Sequence, residues 1–405
     1  MMNDCHYDRW LLAIATVLVV FGTIMIYSST SVVTPLFARR NITPFYYFKR
    51  HIFTVLMGAV CMYLSYRMSV ENLKKISPYL LLFSFVLLIL VFFPKIGVSA
   101  GGARRWIRLW PSTFQPSELA KLSMVLFLAW YLSMPSFKAD SFSSFIMPVA
   151  AMGTFQLVFL KQPDFGAAMS LCLLTIAMLV LSGTRVRYIM LLGVLLAPLV
   201  IKLLMAPYRF RRILAFLDPW KDPQGSGFQL VQSFIALGSG GLTGIGLGES
   251  KQKLSFLPES HTDFIFSLVG EELGFVGALI LICLFLFLFL RGISIAHRMK
   301  EPFGYYLASG LTLMIALQSL INFSVTEGLV PTKGLPLPFV SYGGSSLLVN
   351  MAAVGMLLRL SKGEEFRTVL DKTEVLIEKK KALMAVYGRR RGLNHCGRID
   401  GRENS

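Results

Sequence analysis

The chain has 405 residues, 55% hydrophobic and only 15% charged, with 40 Lys/Arg against 22 Asp/Glu and a net charge of +18. Soluble domains carry roughly 25% charged residues, so a mean hydropathy of +0.62 excludes an ordinary water-soluble enzyme. Five scattered cysteines (Cys5, Cys61, Cys172, Cys283, Cys396) speak against a disulfide framework, and no C-x-x-C pair offers a metal site.

Runs of about 20 apolar residues, the length that crosses roughly 30 Å of hydrocarbon as a helix, recur along the chain. They predict spans at 10–29, 50–68, 77–93, 117–134, 144–161, 165–183, 187–205, 264–291, 303–325 and 339–360: an all-α, polytopic membrane protein of about ten helices. The first run, Trp10 to Ser29, is longer than a signal-peptide core. Asp4 and Asp8 precede it and no small-residue cleavage site follows, so it reads as a retained helix. Pro163 and Pro198 are tolerable at membrane depth where neighbours satisfy the freed carbonyls.

An even helix count puts both termini on one side. After Leu358 the tail holds 12 Lys/Arg, including Lys379-Lys380-Lys381 and Arg389-Arg390-Arg391. With the tail inside, the inner segments hold 22 Lys/Arg, against 10 in the outer short loops and 7 in the long one. That bias predicts cytoplasmic termini. The expected organisation is a cytoplasmic N-terminus (1–9), a membrane domain (10–360) and a basic cytoplasmic tail (361–405), a short helix followed by disorder. The basic excess suits anionic headgroups or phosphate-bearing lipids, not nucleic acid.

Residues 206–263, between the seventh and eighth spans, form the long extracytoplasmic loop. Tyr208 to Leu217 is basic and amphipathic and should lie in the interface. Turn signals follow at Asp218-Pro219-Trp220 and Asp222-Pro223-Gln224-Gly225. Phe228 to Leu237 reads as a short helix, and Gly238 to Gly248, with six glycines, as tight backbone that could shape an acceptor groove. Loops longer than about 15 residues are uncommon unless functional.

No P-loop, H-E-x-x-H or G-x-G-x-x-G is present, so nothing suggests ATP use or a structural metal. What remains is a set of polar residues expected at the outer face. Gly101-Gly102-Ala103-Arg104-Arg105-Trp106-Ile107 runs against the positive-inside bias. It reads either as an interfacial anchor or, through Arg104 and Arg105, as a diphosphate clamp. Gln115-Pro116-Ser117-Glu118-Leu119-Ala120-Lys121 starts a helix with an i,i+3 pair, Glu118 with Lys121, that is either structural or functional. Phe256 to Phe266 re-enters the membrane. Asp263 there is either a helix-start acid in an S-x-x-D pattern or a reacting group, and His261 is an interface residue or a substrate contact. Glu271 and Glu272 are expected to make interhelical contacts. Pro331-Thr332-Lys333-Gly334-Leu335-Pro336-Leu337-Pro338-Phe339 is a loop stiffened by three prolines; it is either a rigid turn or the mount for Lys333 as a fixed charge near phosphate.

These segments, with Asp8-Arg9-Trp10, Lys161-Gln162-Pro163-Asp164-Phe165-Gly166 and Leu217-Asp218-Pro219-Trp220, together resemble the FtsW/RodA/SpoVE (SEDS) family of cell-wall synthesis proteins, and most closely its division-septum branch. The resemblance runs from Asp8 to about Arg359 and leaves out the tail. It implies a ten-helix fold in the bacterial inner membrane with cytoplasmic termini. The implied activity is polymerisation of lipid II, a disaccharide-pentapeptide on undecaprenyl diphosphate, into glycan strands. The implied partners are a class B penicillin-binding transpeptidase and other division-complex membrane proteins. The family's essential acid falls on Asp263.

The expected chemistry is attack of a sugar 4-hydroxyl on an anomeric carbon, with Asp263 taking the proton. Arg104, Arg105 and Lys333 neutralise the departing diphosphate, His261 contacts substrate, and Glu118 and Lys121 give support. A divalent ion, magnesium or manganese, could share that work, although no cluster of acids fixes a site for it. Direct displacement with a single carboxylate inverts the anomeric centre. The rival readings are a lipid II flippase, which should bury charges near the bilayer midplane, and a non-catalytic division scaffold.

Overall fold

A computed structural model describes residues 7–30, 45–100, 103–109, 112–205, 207–250, 252 and 262–362. Asp8–Leu360 forms one compact unit. The tail beyond residue 362 and His261, both subjects of expectations above, lie outside the described residues.

A helix stands in the place of each of the ten expected spans. They are α1 (Arg9–Thr30), α2 (Phe45–Arg67), α3 (Val70–Leu90), α4 (Pro116–Leu132), α5 (Phe142–Lys161), α6 (Phe165–Leu181), α7 (Val186–Leu204), α10 (Ile265–Arg298), α11 (Pro302–Thr326) and α12 (Gly344–Lys362). Among the described residues, six of these (α1, α3, α5, α10, α11 and α12) are long and apolar enough to cross a membrane by length and composition. Between α7 and α10 lie α8 (Pro207–Leu217) and α9 (Phe228–Ser239), the two short helices expected in the long loop.

Boundaries differ where charge hides a helix from a hydropathy reading. α3 begins at Val70, capped by Ser69 accepting from the Asn72 amide, because a helix can carry Glu71, Lys74 and Lys75 past the apolar layer. α10 likewise continues to Arg298. α12 starts later than expected, at Gly344. Phe339, with its side chain 1% exposed, adopts φ +64°, a left-handed conformation that no helix start accommodates.

α11 packs on α4, α6 and α10, α4 also on α3, and α10 also on α1 and α9. The apolar windows of α11 and α12 are 72% buried, against 22% for α3. Large side chains such as Tyr79 and Leu82 on α3 and Val194 and Leu195 on α7 are exposed, as expected of faces turned to hydrocarbon.

Two features correct the sequence reading. The stretch before α4, expected as a loop in an all-α fold, is a three-stranded antiparallel sheet of order β1-β2-β3: β1 Gly97–Ala100, β2 Ala103–Leu109 and β3 Ser112–Phe114. Ile107 stands opposite Gly97 on one side and Phe114 on the other. The second is a break inside α10 at Gly274 (φ 68°, ψ −167°). Backbone groups freed there must find partners, and the glycine-rich segment after α9 supplies them. Phe275 N donates to Gly241 O (2.9 Å), Val276 N to Leu242 O (3.1 Å), Ile245 N to Glu271 O (3.1 Å) and Gly246 N to Glu272 O (3.1 Å). The observed partner of that segment is thus α10 itself. Glu272 accepts from Ser28 of α1 (2.7 and 2.8 Å), the interhelical contact expected of it, whereas Glu271 accepts from Ser250 in the loop.

Candidate active site

Asp8, just before α1, pairs with Arg291 near the C-terminal end of α10. Asp263 is held by Asn322 of α11, about 20 residues of helix at 1.5 Å each from Pro302, where α11 begins just after α10 ends, so Asp263 lies at the opposite end of the bundle. Asp263 is half-buried in a turn, above Phe264, which is 2% exposed. Phe264 occupies the cap position of α10 and makes no side-chain cap bond.

The loop between α11 and α12 lies against this turn. Leu335 packs with Phe264, Ile321 and Val325. The Asp263 carboxylate rests on Gly334: a Cβ built there would stand 2.8 Å from Oδ2. The next residue back is Lys333. Its ammonium sits 4.5 Å from the centroid of the Phe165 ring at the start of α6 and touches the Met169 sulfur. Burial among these apolar groups lowers the Lys333 pKa from 10.5 to about 8.

β2 carries a bulge at the two arginines: the pairing runs from Val98 opposite Trp106 to Ser99 opposite Arg104 and passes over Arg105. Arg104 and Arg108 are exposed, whereas Arg105 is half-buried. Arg105 donates to the carbonyls of Gln162 (3.4 Å) and Pro163 and lies 4.0 Å from Asp164. Asp164 in turn caps α6 by accepting from Ala167 N (3.2 Å), and Gln115 reaches it at 3.4 Å. Arg105 therefore ties β2 to the α5–α6 turn, one residue from the ring under Lys333. Arg104 beside it is exposed.

Deeper in the bundle, Lys121 pairs with Glu118 at 2.9 Å, both side chains at most 4% exposed. Lys121 Nζ also donates to Gln318 Oε1 (2.9 Å). Gln318 Nε2 then donates to Pro336 O (2.8 Å) and Ser346 Oγ (3.0 Å). One turn further along α11, Asn322 Nδ2 donates to both Asp263 O (2.9 Å) and Leu335 O (2.8 Å). Pro116 opens α4 with Glu118 in its first turn, where the helix dipole favours an acid.

The structure thus brings Asp263, Lys333 and Arg105 to one end of the bundle and connects Glu118 and Lys121 to them through Gln318. Gln115 and Asp164 stood inside quoted sequence motifs without a role of their own, and Gln318 and Asn322 were not singled out. The available signal was Gln318 and Asn322, two amides four residues apart in a helix whose other polar side chains are small hydroxyls and tyrosines, a pattern that is costly at membrane depth without a purpose. Among the described residues no group of three or more His, Cys, Asp or Glu is placed to hold a metal ion.

The family model for FtsW/RodA/SpoVE, described as "Cell cycle protein", matches residues 8–365. A protein of Geobacter sulfurreducens named "Probable peptidoglycan glycosyltransferase FtsW" is 44% identical over 358 residues, 88% of this chain and 95% of that one. Its namesake in Coxiella burnetii is 41% identical over 360 residues, 88% of this chain and 96% of that one. Among solved structures, a chain from work on the coordination of polymerization and crosslinking by a peptidoglycan synthase complex superposes with a TM-score of 0.74 at 30% identity, covering 88% of this chain and 98% of that one. The rod shape determining protein RodA of Thermus thermophilus gives 0.64 at 26% identity, covering 89% and 98%.

Proposed function

The chain belongs to the FtsW/RodA/SpoVE family, and from that premise we propose that it is a peptidoglycan glycosyltransferase that polymerises lipid II into glycan strands during septal wall synthesis. It is a multi-pass membrane protein. We place both termini in the cytoplasm, as the Lys/Arg bias favours, which puts Asp263 at the outer surface of the inner membrane. A class B penicillin-binding transpeptidase is the proposed partner.

The observation that carries this reading is a half-buried carboxylate resting on Gly334, one residue from a partly dehydrated lysine. A sugar hydroxyl is a poor nucleophile until a positioned base takes its proton. In the proposed step the acceptor 4-hydroxyl loses its proton to Asp263 while its oxygen bonds to the anomeric carbon. The bond from that carbon to the lipid diphosphate breaks and the electron pair leaves with the phosphate. Charge builds on the leaving oxygen, where Lys333 and the exposed Arg104 can meet it, and a low-dielectric setting strengthens both. Arg105 serves by holding the α5–α6 turn beneath Lys333. His261, in the segment just before Asp263, is the remaining proposed substrate contact.

The test is reconstitution of the purified chain with its transpeptidase partner in vesicles carrying lipid II in the outer leaflet only. Glycan polymer is the expected product. Movement of lipid II between leaflets without polymer would replace the enzyme with a flippase. Complementation of a depleted strain by an Asp263→Asn variant would replace it with a scaffold.

Lys333 sets a pH dependence with a definite sign. An ordinary lysine stays charged to beyond pH 10, but Lys333, lowered to about 8, loses its charge as pH rises through that value. Because kcat/KM reports groups of the free enzyme, it should fall on the alkaline side near pH 8. Lys333→Arg should carry the plateau to higher pH, since a guanidinium does not deprotonate there. An alkaline limb unmoved by Lys333→Arg would assign the limb to another group.

A further inference from the structure

We propose that Gln318 and Asn322 are positioning residues for the glycosyl transfer: from one face of α11 they fix the loop that carries Lys333 against the turn that carries Asp263. The inference rests on the reading of Asp263 as the base.

The argument begins with the loop's own chemistry. Pro331, Pro336 and Pro338 have no N–H, so this loop is poor in backbone donors; the bonds it makes within itself include Leu335 N to Lys333 O (3.0 Å) and Leu337 N to Ser341 Oγ (2.8 Å). Its buried carbonyls need donors from elsewhere. α11 supplies two in succession. Residues four apart share a helix face, and Gln318 and Asn322, 3% and 1% exposed, bond the consecutive carbonyls of Pro336 and Leu335. Asn322 Nδ2 donates a second time, to the carbonyl of Asp263. One amide nitrogen therefore bridges the backbone of the acid and the backbone two residues after Lys333.

The orientation of each amide is determined by its neighbours. Gln318 Oε1 accepts from Lys121 Nζ, and a flipped amide would turn an N–H toward an ammonium and an oxygen toward the Pro336 carbonyl. A flipped Asn322 would set its oxygen against two carbonyls. Asn322 Oδ1 is itself buried with no donor among the described residues, so the side chain's bonding is all invested in the donor end. The Glu118–Lys121 pair acquires a task by the same route: its ammonium reaches Gln318, whose amide reaches the loop. The pair thus acts on the reaction through orientation and does not touch the sugar.

The test is steady-state polymerisation of lipid II by the membrane complex, alongside peptide-resolved labelling of Lys333 with an amine-reactive reagent. Asn322→Asp preserves shape and removes the donating nitrogen. Gln318→Met preserves length and removes the amide, and it carries the same measurements if the Asn322 variant does not accumulate. Each is expected to lower kcat by about 10- to 100-fold, the scale of a small misplacement of a reacting group, with KM for lipid II changed less than about threefold. Each should also speed labelling of Lys333. Wild-type kcat and wild-type labelling in either folded variant, beside an inactive Asp263→Asn, would overturn the positioning role and leave the base intact. Activity retained by Asp263→Asn would instead remove the base, and unchanged Lys333 labelling in the amide variants would then remove the loop anchor as well.

Discussion

Asp263→Asn should leave the protein folded and inserted while polymer formation falls by about a hundred- to ten-thousand-fold, the range over which a single general base acts. The substitution is close to isosteric. It preserves the backbone carbonyl that Asn322 holds, the packing of Phe264 beneath the turn and the close fit against Gly334. What it removes is the capacity to accept a proton, because an amide does not ionise at neutral pH. Gel-resolved glycan products from the complex, at saturating and at dilute lipid II, separate this from a binding defect. Loss of kcat with unchanged KM is the signature of a group that acts in the transition state. An unaltered rate in the purified variant would remove the carboxylate from the chemistry.

Gly334 sharpens the same point. Its backbone has no unusual φ, so alanine is tolerable to the chain itself. Its absent side chain is the space in which Asp263 Oδ2 sits, 2.8 Å from where a Cβ would stand. The contact explains why a small residue follows Lys333, and it could not be foreseen from a loop read only as proline-stiffened.

The membrane architecture was legible because the bilayer imposes a length: apolar runs of about 20 residues announce themselves, and six of the described helices meet it by length and composition. Asp263 stood out as a carboxylate at the edge of such a run, but its position alone left it open between a helix-start acid and a reacting group, and the family resemblance is what singled it out. The sheet was missed because a bulge at Arg105 breaks the period of two that marks a strand. The paired arginines drew attention as a charge cluster, and the fold instead leaves Arg104 exposed and sets Arg105 against the α5–α6 turn. The functions of Gln318 and Asn322 were hidden for another reason. Their acceptors are carbonyls of residues 13 to 59 positions away, and a contact to backbone leaves no complementary side chain in the sequence to suggest it.

The break in α10 was hidden in the same way, and it supports the second large effect: Gly274→Ala should strongly destabilise the protein. At φ 68° and ψ −167° an L-residue costs about 1–3 kcal/mol. A Cβ would also lie 2.3 Å from Gly244 N and 2.6 Å from Leu242 C and O. These are backbone atoms that no rotamer change can move aside, so overpacking adds about 1–3 kcal/mol. The sum is a large share of the roughly 5–15 kcal/mol by which domains are stable. The damage would reach the reaction, because the segment Ile265–Leu273 carries Asp263 at its head and is held at its other end by the glycine-rich strap and by the Ser28–Glu272 contact. Gly238→Ala is the matched control, since nothing lies within 4 Å of a Cβ built there. Thermal unfolding in detergent should show a much lower transition for Gly274→Ala and no change for Gly238→Ala. Equal transitions for the two variants would mean that the strap does not clamp the broken helix, and that the head of α10 is held by its own packing alone.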